Sequence, residues 1–359
     1  MTRIDLPLMP VTQSAWMVTR YDDVRAVLGD TGRFSNVRPV PMGDASGMLL
    51  MQDPPEHSRL RRMLTSEFTV KRIRRLAPRI EAIVTDHLDA LERAGSPADL
   101  VAQFALPIPS LVICELLGVP YADRDGFQQQ SRLRLDMSRP MPERMAAVEQ
   151  SRAYMTELVA GKRVEPDDDM LGMLIREHGA DLTDNELIGI ADLLLLAGHE
   201  TTSNMLGMGT LLLLQHPEQL AQIRDNDEIV DQAIEEMMRY LSIVHSGVFR
   251  FAAADTELRG KEIHKGDAVV LALASANRDA PLGENLETFD INRKQTSHVA
   301  FGHGVHHCLG APLARMEMRM AFPALLRRFP GLRAEVSLEQ AAFRAYSFIY
   351  GLESLPVSW

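Results

Sequence analysis

The segment FGHGVHHCLG, residues 301–310, carries the most informative side chains of the chain. Its three glycines mark backbone that bends sharply or lets something approach closely. Cys308 stands just before an expected helix over about 309–328. A helix N-terminus favours negative charge through its dipole and free N–H groups. A cysteine there is poised as the thiolate, the form that ligates metal. A lone cysteine is more often buried and inert, but the glycine spacing, the helix start and the nearby histidines together outweigh that reading. A zinc site from His303, His306, His307 and Cys308 is disfavoured, because four ligands within six residues crowd a tetrahedral ion. His199-Glu200 is not a zinc-protease motif, since the second histidine it requires falls at Ser203.

A second group is Ala197-Gly198-His199-Glu200-Thr201-Thr202. It interrupts an apolar run, where a buried glutamate is costly and needs a reason. One reading is a satisfied helix kink. The other is proton delivery, with a hydroxyl holding a water and a carboxylate behind it. Glu236-x-x-Arg239 lies on an amphipathic helix, and by itself such a pair is commonly a solvated ion pair. The same applies to His57 and Arg61, which share a helix face at i,i+4.

These groups need elements to position them. Thr183-x-x-Glu186 is a capping box ahead of an apolar run, and the helix it opens is expected to span about 184–215. Asp53-Pro54-Pro55-Glu56 reads as another helix start, with Asp53 as the cap. Further helices are expected at about 106–117, 121–135, 142–160, 168–178, 217–224 and 227–241. From VFRFAA to AVVLALAS, residues 248–275, alternation and turn residues suggest a small antiparallel sheet. The tail reads as short strands, and Pro323 as a kink in the last helix. The fold class is mostly α (α+β), in a single domain over 1–359.

Composition excludes other classes. The 359 residues are 46% apolar and 24% charged, ordinary globular values. A net charge of −11 disfavours nucleic acid. The two cysteines, Cys114 and Cys308, imply no disulfide framework and fit a cytoplasmic protein. The apolar run LIGIADLLLLAG is shorter than the roughly 20 residues a membrane span needs.

The pattern Phe301-Gly302-x-Gly304-x-His306-x-Cys308-x-Gly310 resembles the haem-binding signature of the cytochrome P-450 family at every fixed position. The resemblance runs from WMVTRYDDVRAVL to LPVSW and is nearest to soluble actinomycete-type members. It implies haem b, with Cys308 as the axial thiolate, which favours O–O cleavage. It also implies that His306, His57, Arg61 and Arg250 contact the propionates, and that Glu200 and Thr201 are an acid–alcohol pair delivering protons. Gly198 would leave room for O2, and Glu236–Arg239 would brace the cysteine loop. Thr288 stands where a third bracing Arg or His is usual, with Arg293 as the candidate substitute. By resemblance the pocket walls come from Val37–Met51, the helix face with Leu193, Leu194 and Ala197, the stretch Val244–Phe249 with Val248, and the tail near Phe348 and Ile349.

The activity implied is monooxygenation: one atom of O2 enters an apolar polyketide, macrolide, steroid or xenobiotic. Electrons would come from a ferredoxin and its NAD(P)H-dependent reductase. Arg59, Arg62, Arg72, Arg74, Arg75, Arg315 and Arg319 would offer the ferredoxin a cationic patch. The alternatives are a peroxide-dependent peroxygenase and a non-catalytic haem sensor. The chain starts near the first hairpin of the family, so a shortened N-terminus is expected.

Overall fold

The computed structural model describes residues 1–6, 14–39, 43–245, 248–294 and 297–359. The helices are α1 (Tyr21–Gly29), α2 (Glu56–Thr65), α3 (Val70–Ala94), α4 (Pro107–Leu117), α5 (Arg124–Leu135), α6 (Met141–Val164), α7 (Met170–His178), α8 (Asp184–Leu214), α9 (Pro217–Asp225), α10 (Val230–Leu241), α11 (Leu273–Ala276) and α12 (Ala311–Arg328). The strands are β1 (Thr2–Asp5), β2 (Ser14–Val18), β3 (Phe34–Ser35), β4 (Ala98–Asp99), β5 (Phe249–Ala252), β6 (Thr256–Leu258), β7 (Lys261–Ile263), β8 (Ala268–Leu271), β9 (Arg333–Ala334) and β10 (Pro356–Ser358).

Helix α8 is the axis of the molecule. The expected capping box is present at Thr183 and Glu186. Its 31 residues span roughly 46 Å. It is buried on nearly every side, as an all-round apolar helix must be, packed by α4, α6, α9, α10 and α12. The sheet is mixed rather than purely antiparallel. Its order is β1-β2-β8-β5-β3, with β2 parallel to β8, while β6 and β7 form a separate hairpin. Of the tail, β10 pairs with β4 and β9, and the rest makes isolated bridges.

One local expectation is corrected. Asp53 does not cap α2, which starts at Glu56 without a side-chain cap. Its carboxylate instead accepts from Ser35 Oγ and, at 2.9 Å, from the Asn36 N–H, joining α2 to β3. Helix α12 runs through Pro323 and reaches Arg328. No helix among the described residues is long and apolar enough to cross a membrane.

Ser46 and Gly47 lie directly on α8. Gly47 has φ +75°, and a Cβ on Gly189 would stand 1.8 Å from the Ser46 carbonyl oxygen. Backbone cannot yield as a side-chain tip can. Gly189→Ala is therefore expected to lower the unfolding free energy by about 1–3 kcal/mol. Gly207→Ala, whose Cβ meets only ordinary contacts from 3.4 Å, should be neutral or gain up to about 1 kcal/mol in the same urea titration.

Candidate active site

The cysteine loop is shaped by its glycines. Gly302 and Gly304 have φ of +75° and +73°. A Cβ on Gly304 would stand 2.8 Å from the Leu28 carbonyl oxygen, so a side chain there would force the loop off α1. The loop closes through Cys308 N–H to Phe301 O at 2.9 Å and Gly302 N–H to Val299 O at 2.8 Å. Gly310 then caps α12, with proline in the first turn. The Cys308 side chain is exposed although protein surrounds it, as expected of a group lining an internal cleft. Burial holds its thiol above the ordinary range, against the pull of the Gly310 and Ala311 N–H groups, Arg61 and Arg315. A coordinated cation would reverse that balance and leave the thiolate.

Near the loop sits a cluster of cationic and imidazole groups that makes no ion pair among the described residues. His57 and Arg61 come from α2, Arg250 from β5 and His306 from the loop. The rings of His57 and His306 lie 4.0 Å apart, and none of their four nitrogens has a hydrogen-bond partner. Arg250 is 4% exposed; Nη1 donates to the Phe249 carbonyl, and Nε has no partner. Among the described residues, the Arg61 guanidinium makes no ion pair. Burial, then His57, Arg250 and Arg61, push His306 down to about 3. Burial likewise brings Arg250 down to about 10, against the attraction of Asp53. Buried polar groups are ordinarily satisfied, so orphans gathered at one place call for an anionic guest. The two carboxylates of haem fit them, since guanidinium forks match carboxylate geometry. Among the described residues no cluster of three or more His, Cys, Asp or Glu side chains could hold a metal ion, which leaves the zinc alternative without a site.

Helix α8 leaves Ala197 exposed in the middle of an otherwise largely buried helix. Thr201 is one turn further on, and its hydroxyl donates to the Ala197 carbonyl at 2.9 Å. Glu200 is 1% exposed. It accepts from Arg344 Nη1 at 2.9 Å, and His199 Nε2 lies 3.5 Å away. Burial works to raise its pKa, but His199 and Arg344 together prevail and bring it down to about 2. No hydrogen bond among the described residues joins Glu200 to Thr201. Gly198 also answers to packing. The direction of its missing Cβ is filled by Ile113, whose Cδ1 would be 2.6 Å away, so its smallness lets α4 approach α8.

The brace is built around Arg239, which is fully buried. It meets Glu236 through two bonds of 2.7 Å and donates to the carbonyls of Asn277, Leu286 and Thr288. Arg293 Nε reaches Glu236 Oε1 at 3.2 Å and also holds the Glu284, Asn285 and Thr288 carbonyls. Arg293 thus supplies the cation that Thr288 lacks. Sequence reasoning missed Arg344 and His199 as partners of Glu200. It also missed Glu235, which Arg315 and His298 hold down to about 2 against the opposing effect of burial.

Four of the seven arginines of the expected patch are engaged: Arg59 with Glu186, Arg72 with Glu67 and Glu177, Arg315 with Glu235, and Arg319 with Asp231. Arg62, Arg74 and Arg75 are exposed and have no ion pair among the described residues. Leu194 and Ile349 pack partly buried against the main core, and Val248 against the core of the sheet. Residues 40–42 and 246–247 of the expected pocket walls lie outside the described residues.

Comparison with known proteins follows the same lines. A sequence model described as Cytochrome P450 matches residues 136–337. Cytochrome P450 FAS1 of Rhodococcoides fascians is 44% identical over 96% of this chain and 90% of its own. Mycinamicin IV hydroxylase/epoxidase of Micromonospora griseorubida is 42% identical over 98% and 91%. The crystal structure of CYP105P1 in complex with filipin I superposes with a TM-score of 0.95 at 40% identity, covering 100% of this chain and 92% of that one.

The brace gives a test of stability. Glu236→Gln leaves the Arg239 charge buried and unopposed, and should cost about 3–5 kcal/mol. Arg293→Gln keeps the inner pair and should cost only about 1–3 kcal/mol. Urea unfolding of both variants checks the order, and equal losses would place Arg293 within the inner pair's energetics.

Proposed function

The chain belongs to the cytochrome P450 family, and from that premise we propose that it inserts one atom of O2 into a small apolar natural product. It is an oxidoreductase that binds haem. Electrons come from a ferredoxin and its NAD(P)H-dependent reductase, in the cytoplasm. The observation that carries the reading is the cluster of His57, Arg61, Arg250 and His306 near Cys308, in which both imidazoles and Arg250 Nε have no hydrogen-bond partner among the described residues. A relative named for hydroxylating and epoxidising mycinamicin IV supports a macrolide-like substrate class.

When bound, haem supplies activation of O2 and transfer of one oxygen atom. The chain's own residues set the conditions. Cys308 offers sulfur at the start of α12, where the helix dipole favours the thiolate. His57, His306, Arg61 and Arg250 neutralise the two propionates and orient the ring. Ala197 leaves open space on the face of α8, and Leu194, Val248 and Ile349 keep the pocket apolar. Thr201 holds a proton on Oγ1, and Glu200 resupplies it from behind. Arg62, Arg74 and Arg75 remain free to steer an acidic ferredoxin.

The first test is the Soret spectrum of the reduced, CO-bound protein. A strongly red-shifted band, lost in Cys308→His, is expected; a neutral-ligand spectrum in the wild type overturns thiolate ligation. The second is Thr201→Ala, supplied with NADPH, ferredoxin and reductase. Reducing equivalents should then emerge as peroxide. An unchanged split between product and peroxide would favour a peroxygenase. Retained ligand affinity with no turnover in either protein would favour a sensor.

A further inference from the structure

Glu200 has a supply problem. It lies in the core of the molecule, in a helix buried on nearly every side. A carboxylate that passes protons inward must itself be recharged from solvent. His199, on the same helix, is fully buried, and its Nδ1 is 2.7 Å from the Leu195 carbonyl oxygen. Arg344, from the tail, is the other partner of Glu200, and it also lines a cavity of about 340 Å³. Arg132, Asp136, Arg139, Tyr346 and Glu353 line the same cavity.

We propose that Arg344 is a positioning residue that pins Glu200 at the inner end of this polar cavity, and that the cavity is the route by which protons from solvent reach Glu200. The proposal rests on the reading of Glu200 as the proton donor behind Thr201.

The geometry supports it in three ways. First, Arg344 spans the gap. Its Nη1 donates to Glu200 Oε2 at 2.9 Å, while its Nε has no hydrogen-bond partner and lies 3.9 Å from Glu353 Oε1. Second, the contact engages one oxygen only. Glu200 Oε1 makes no hydrogen bond, its neighbour being His199 Nε2 at 3.5 Å, so a proton can be taken up at Oε1 without breaking the Arg344 ion pair. Third, the cavity is polar and has ample room for a chain of waters. Its walls are tied together: the Met137 N–H donates to the Tyr346 carbonyl at 2.8 Å, and Asp136 bridges to Ser347. The segment after α5 and the tail that carries Arg344 therefore hold one another in place.

The step balances without a co-reactant. An O–H bond of a protonated water breaks and an O–H bond on Glu200 forms. Glu200 then gives that proton towards the Thr201 hydroxyl and returns to the carboxylate beside Arg344. Arg344 carries no proton itself, because its guanidinium is not deprotonated in proteins.

The experiment has two readouts. The first is infrared titration of the Glu200 carboxyl, isolated as the difference between the wild type and Glu200→Gln. In Arg344→Gln the burial of Glu200 loses its nearest opposing cation. A protonated-carboxyl band should then appear at pH values where the wild type shows only carboxylate, and Arg344→Lys should restore the carboxylate. The second is oxygen consumption with NADPH, ferredoxin and reductase, in H2O and in D2O, without added substrate. Arg344→Gln should slow it by about tenfold to a hundredfold and raise the solvent isotope effect.

Ala345→Trp fills the cavity without touching the ion pair. It should raise the isotope effect while leaving the infrared titration as in the wild type. An unchanged infrared titration and isotope effect in Arg344→Gln, with or without a lower melting temperature, would reduce Arg344 to a structural role and overturn the proposal. An unchanged isotope effect in Ala345→Trp overturns the route. If Glu200→Gln itself leaves oxygen consumption unaltered, the relay reading of Glu200 fails, whatever the infrared titration of Arg344→Gln shows.

Discussion

Two guanidinium groups and two imidazoles are gathered in one place, and among the described residues neither imidazole nor Arg250 Nε has a hydrogen-bond partner. A fold tolerates that only if something else compensates it. Here α2, β5 and the cysteine loop each deliver part of the cluster to one place, beside a thiol at the start of α12. Asp53, the carboxylate that attracts both His57 and Arg250, is already engaged by Ser35 and Asn36. The positive cluster is therefore left for a dianionic guest, and the surrounding elements are arranged to keep it so.

Keeping it so requires a rigid floor. The segment between α11 and the cysteine loop has little regular structure, so its backbone carbonyls need partners from elsewhere. Arg239 and Arg293 supply them, donating to five carbonyl groups between Asn277 and Thr288 while Glu236 balances both cations. This is a buried network in which each group satisfies another, and such networks lend rigidity when complete. On its α1 side the cysteine loop is set by Gly304, which allows close approach to the Leu28 carbonyl.

Much of this was legible in the chain. A capping box and an apolar run announced α8 to within a residue at its end, because capping and burial are local patterns. The glycines and Cys308 announced the loop for the same reason. One expectation failed where local chemistry met a distant partner. Asp53 has the right type and spacing for a cap, but β3 offers it better donors. The packing of Ile113 on α4 against Gly198 likewise leaves no mark in the local sequence. No spacing rule links Glu200 to Arg344, which lie 144 residues apart.

Residue types and short-range spacing determined the glycine–cysteine pattern of the loop, the cap of the central helix and the family to which the chain is similar, because those signals are written within one or two turns of backbone. Only the folded chain decided that Arg293 completes the brace in place of Thr288, that four of seven candidate docking arginines are engaged in ion pairs, and that Glu200 faces Arg344. Charge pairing over long sequence separation is selected by distance in space and by the low dielectric of the interior, and neither is visible before the helices pack.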